Sequence, residues 1–110
     1  MPDYCAIDTS LLTMPQYGML DIFAQSLFIT LLFLADEQGR LQAHPAWVRS
    51  KGYPYQDISL ETIESGLKTL EQAKLISRFA EADTNTPWIQ VAFWWDEQGR
   101  MHRAQQENVR

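Results

Sequence analysis

Residues 59–79 read SLETIESGLKTLEQAKLISRF, and the period of the pattern changes part-way through. Leu60, Ile63, Leu67 and Leu70 recur three, four and three residues apart, which lines up one face of an α-helix. Ser59 supplies an N-cap, and Glu61 lies in the first turn, where the helix dipole is positive. From Ile76 to Glu81 the helical spacing stops and the segment reads as a strand. Asp83-Thr84-Asn85-Thr86-Pro87 is a polar turn and Trp88 to Trp94 a second strand, so the two strands make a hairpin. In that second strand Ile89, Val91 and Phe93 alternate onto one face and predict core. Trp88 and Trp94 fall on the opposite face with Gln90 and Ala92.

Upstream, Pro45 opens a shorter helix at its first position, where the missing N–H costs nothing. That helix runs through Trp47 and Val48 to Gly52, and Tyr53 to Asp57 forms a turn around Pro54. Further upstream, Leu20 to Ala35 is a helix apolar on nearly all sides, which belongs in the middle of a core. It is interrupted by Asp21, Gln25 and Ser26 and falls short of the roughly 20 apolar residues a membrane helix needs. Gly39 ends it, and Leu41-Gln42 reads as a very short strand. Residues 1–19 form an N-terminal extension, extended around Tyr4 to Asp8 with a brief helical turn near Met14-Pro15. Residues 96–110 read as a polar tail or a frayed helix.

Helix, short strand, helix, turn, helix and hairpin predict an α+β fold, mainly α. The arrangement is a winged helix-turn-helix over residues 20–95, with a three-helix core and a C-terminal β-hairpin wing. A chain of 110 residues that is 45% hydrophobic and 12% aromatic can bury such a core as one domain. Cys5 is the single cysteine, so no internal disulfide forms. Together with a start that lacks a basic signal segment, this predicts a reducing, cytoplasmic compartment.

Three runs, LFITLLFLADEQGRL (27–41), HPAWVRSKGYPYQDISLETIESGLKTLEQAKLISRF (44–79) and WIQV (88–91), carry a resemblance. They resemble the winged-helix N-terminal domain of phage and prophage replication proteins of the replisome-organiser and replication-initiation type. The resemblance implies DNA binding in a replication or regulatory role, in the cytoplasm of a bacterial host cell. Members commonly carry a further domain that contacts helicase-loading machinery. At Lys74 the family pattern has glycine; a lysine there must adopt a left-handed backbone, at about 1–2 kcal/mol, or change the cap.

The net charge of −5 is regional. Asp3, Asp8, Asp21, Asp36 and Glu37 hold all of it within residues 1–39, which contain no Lys or Arg, whereas the acids and bases of residues 40–110 cancel. Residues 40–56 carry Arg40, Arg49 and Lys51 and no acid. Cations interleaved with Trp47 and Tyr55 suit phosphate contact and base stacking, and Arg78 extends this weak basic rim. The helix-turn-helix geometry would bring Ser59, Thr62, Ser65 and Lys68 toward base edges. Glu61 and Glu64 on the same turns would repel the groove, since phosphate contacts need cations.

Two functions follow from this pattern. One is a nucleic-acid-binding accessory with DNA as partner, weak by charge. The other is a stand-alone adaptor or inhibitor that engages a basic host or phage protein through the acidic third and the Trp88/Trp94 face. That face equally suits a homodimer, or cover by residues 1–19. Neither implies a cofactor. With one Cys and two distant His there is no zinc spacing, and no phosphate loop or nucleophile elbow occurs, so no enzyme or metal site is expected.

Overall fold

The computed structural model describes residues 6–104. Asp21 opens the central helix: its carboxylate accepts from the Ala24 amide at 2.7 Å, and α2 runs Ile22–Leu34. It follows a 3₁₀ turn at Thr9–Thr13 and a four-residue α1 at Pro15–Gly18. This part of the N-terminal extension is anchored by buried Leu11 and Tyr17. Leu27, Phe28 and Leu31 of α2 are wholly buried, as a helix apolar all round requires.

Beyond α2 come β1 (Arg40–Gln42), α3 (Pro45–Gly52) and α4 (Leu60–Gln72). The Ser59 hydroxyl caps α4 by accepting from the Thr62 amide, and Ile63, Leu67 and Leu70 form its buried face. Gly66 lets α4 lie directly on α2, because a Cβ there would sit 2.6 Å from Leu27 Cδ2. The helix ends by the first of the two routes open to a non-glycine. Lys74 is left-handed, with φ 65°. Its amide donates to Glu71 O and the Leu75 amide to Leu70 O, which satisfies two terminal carbonyls in a Schellman arrangement.

The strands β2 (Ile76–Ala80) and β3 (Pro87–Val91) form the expected hairpin, and β1 pairs with the other edge of β3, giving an antiparallel order β1-β3-β2. Leu41 and Arg78 flank Ile89 on the face turned to the helices, while Arg40 and Ser77 flank Gln90 on the other. Among the described residues the result is a small α+β arrangement of four α-helices and a small antiparallel sheet.

Two expectations from the sequence need correction. The strand expected over 88–94 breaks at Ala92, whose amide donates to Leu75 O. After the break, β4 (Phe93–Trp95) leaves the sheet and pairs with β5 (Met101–Arg103). The polar stretch after Asp96 therefore contains a strand and not only a tail; 105–110 lie outside the described residues. The alternation itself carries on across the break: Phe93 reaches the core as expected, edge-on to Phe28 at 5.7 Å, and Trp95, two residues further on, is buried with it. Among the described residues no helix is long and apolar enough to cross a membrane.

Candidate functional site

The cations expected to meet phosphate are mostly engaged within the chain. Arg78 donates four hydrogen bonds, two to Glu64 and two to Glu71, at 2.7–2.9 Å. Glu64 and Glu71 stand seven residues apart, two turns along one stripe of α4, and the guanidinium bridges them from β2. The bond to Arg78 holds the Glu64 carboxyl below its ordinary value, and Glu64 followed by Glu71 pushes the Arg78 value up. Arg40 donates to Gln90 Oε1 at 2.9 Å and lies over the Phe79 ring, 5.9 Å from its centroid. Arg49 donates to the Ile58 carbonyl at 3.3 Å. Lys51, on the last turn of α3, is exposed, and Tyr55 in the following turn is 99% exposed. Trp47, half-buried, packs against the core.

On α4, Ser59 is occupied as a cap, and its hydroxyl also bonds the Thr62 hydroxyl at 2.8 Å. Thr62, Ser65 and Lys68 are exposed. Ser65 shares one shallow groove with Asp21 and Glu61 and another with His44, Glu61 and Glu64. The surface around the candidate base-reading residues is therefore rich in carboxylates. The tip of the β2–β3 hairpin adds Glu81 and Asp83, both exposed.

Neither tryptophan expected on the far strand face is bare. Trp88 is half-buried and donates from its indole N–H to Glu81. Trp94 is covered by parts of the chain that sequence reasoning did not assign to it. Its indole donates to Glu37 O at 3.1 Å. Its ring lies against Gly39, where a Cβ would come within 2.5 Å, and it stacks on His102 of β5 at 5.6 Å.

These contacts join two loops of identical sequence, Asp-Glu-Gln-Gly-Arg at 36–40 and 96–100. In each, the first carboxylate accepts from the amides of the third and fifth residues. The glycine amide donates to the aspartate carbonyl, and the glycine is left-handed, with φ 75° at Gly39 and 79° at Gly99. A groove of about 1000 Å³ lies between the loops and the end of α2. Asp36, Glu37 and Glu97 line it without an ion pair to any described residue. Asp96 is paired with Arg100 and His102. The hydrogen bond from His102, then the Arg100 amide, holds the Asp96 carboxyl well below the usual carboxylate range.

Among the described residues no group of His, Cys, Asp and Glu is arranged to hold a metal ion. Compared with known protein families, with curated proteins and with solved structures, the chain finds no match.

Proposed function

We propose that the chain is a winged-helix module of the kind used in phage and prophage replication, acting without catalysis as an adaptor or inhibitor that binds a basic protein. The order α2, β1, α3, α4, β2–β3 supports the winged-helix reading. In it α3 and α4 are the helix-turn-helix pair and the β2–β3 hairpin is the wing. The observation that carries the function is the fate of the charges. The surfaces a winged helix turns to DNA, the start of α4 and the wing tip, carry exposed Glu61 and Glu81. Arg78, expected to extend the basic rim, is held by two carboxylates, which leaves Lys68 as the exposed cation sharing a groove with Glu61. A duplex would meet like charge there, whereas a basic protein would meet complementary charge.

Lys51 and Tyr55 favour a second function, weak nucleic-acid contact from the end of α3, since both are exposed in an acid-free run. Titrating labelled random duplex and single-stranded DNA at two salt concentrations separates the two. The adaptor reading expects no binding at about 0.15 M salt. Binding that falls steeply with salt and vanishes on Arg49→Ala plus Lys51→Ala would replace it with the nucleic-acid reading. Capture of a protein from bacterial extract, lost when exposed carboxylates are reversed to lysine, is the positive arm.

A further inference from the structure

The groove between the twin loops has a chemistry that selects its occupant. Its apolar part is formed by Leu32 and Phe33 at the end of α2, the latter 50% exposed, together with Ala6 and the half-buried Trp94. Its rim is acidic: Asp36 and Glu37 come from the first loop and Glu97 from the second. The basic side chains that line it, Arg100 and His102, are both turned onto Asp96. The C-terminal end of α2 adds a partial negative charge that no basic residue in its last turn offsets.

We propose that this groove docks a short basic segment of a partner protein, with one large apolar side chain set between Phe33 and Trp94 and flanking Lys or Arg residues on Asp36, Glu37 and Glu97. The volume suits a few side chains of an extended segment. An aromatic wall ringed by charge is the arrangement in which a central anchor supplies most of the affinity and the rim supplies selectivity and register. The twin loops give the site its rigidity. Each carboxylate cap fixes its own turn, and Trp94 ties to the first loop through Glu37 and Gly39 and to the second through His102, which bonds Asp96. This inference rests on the protein-binding reading and names the surface and partner chemistry for it.

The test uses the full chain and a labelled synthetic peptide, Lys-Arg-Lys-Leu-Leu-Arg-Lys, followed by fluorescence anisotropy and by the amide and indole signals in NMR. Binding should perturb Trp94, Phe33 and Glu97 and leave α3 unmoved. The double variant Glu37→Lys/Glu97→Lys should weaken binding about tenfold or more, as expected for loss and reversal of two complementary charges. Phe33→Ala should weaken it about fivefold or more, as should changing both peptide leucines to alanine. Both protein variants alter exposed or half-exposed side chains, and their unchanged NMR spectra away from the groove would verify the fold.

Equal binding to wild type and to Glu37→Lys/Glu97→Lys would overturn the groove proposal, and so would peptide-induced shifts confined to another face. NMR contacts from the Phe33 and Trp94 rings to residues 1–5 that persist in the presence of peptide would assign the groove to the chain's own beginning and also overturn it. Failure of the broader reading looks different. Salt-sensitive DNA binding removes protein binding as the function, while partner capture that survives Glu37→Lys/Glu97→Lys keeps the function and removes this site.

Discussion

The loops at 36–40 and 96–100 share five residues, the same carboxylate-to-amide hydrogen bonds and the same left-handed glycine. Their surroundings differ. Gly39 is buried beneath the Trp94 ring, whereas nothing lies within 4 Å of a Cβ built on Gly99. One links α2 to β1, and the other closes the β4–β5 hairpin. Local chemistry therefore sets the loop's shape, and tertiary contact sets how much a change in it costs.

The largest expected effect separates the two glycines. Gly39→Ala should destabilise the chain by about 3 kcal/mol, combining left-handed strain with displacement of Trp94. Gly99→Ala should cost only about 1 kcal/mol, the strain alone. Denaturant unfolding of both variants checks the ordering, and equal costs would break the comparison. Next, Trp94→Ala should remove most of that difference. In its background the Gly39→Ala cost should fall to that of Gly99→Ala, a coupling of about 2 kcal/mol measurable in a double-mutant cycle.

A smaller effect comes from the caps. Asp36→Ala removes two hydrogen bonds to backbone amides and should cost about 1 kcal/mol in thermal or denaturant unfolding. Asp96→Ala should in addition release His102 from Trp94, seen as loss of ring-current shifts on the imidazole. The smallest effect is a titration. Because His102 is the first cause of the depressed Asp96 value, His102→Ala should raise it toward the ordinary 3.8, as read from carboxyl carbon shifts. The sign for stability follows. A depressed carboxyl supports the β4–β5 hairpin above its unfolded value and loses that support as pH falls through the folded one.

Much of the fold was legible because its signals are local. The three-four-three spacing on α4, the Ser59 cap and the alternation of Ile89 and Val91 each need only a few neighbouring residues, whereas at Lys74 a left-handed residue and a changed cap were both open until the backbone showed the first. β5 was not legible, because Met101, His102 and Arg103 are all exposed and show no alternation of apolar with polar. The bend at Ala92 escaped for a related reason: it depends on a bond to Leu75, seventeen positions earlier. For the site, the acid-free run and the acidic first third were visible as composition. What composition hides is which charges are spent. Glu64 and Glu71 lie two turns apart, and that spacing was the available sign that α4 offers a paired acceptor; only the packing of β2 beside it shows that Arg78 fills the pair. Likewise the repeated pentapeptide was readable, but the tryptophan joining its two copies was not.

The clamp on Arg78 has a kinetic consequence. A guanidinium locked between two carboxylates contributes little to the field felt several ångströms out in solvent, so the acidic third of the chain dominates what an approaching molecule senses. Encounter with a basic partner should then be accelerated at low ionic strength and slowed as salt screens the attraction, while the rate of leaving changes less. An ion pair within the chain in this way helps decide how fast the acidic surface is found.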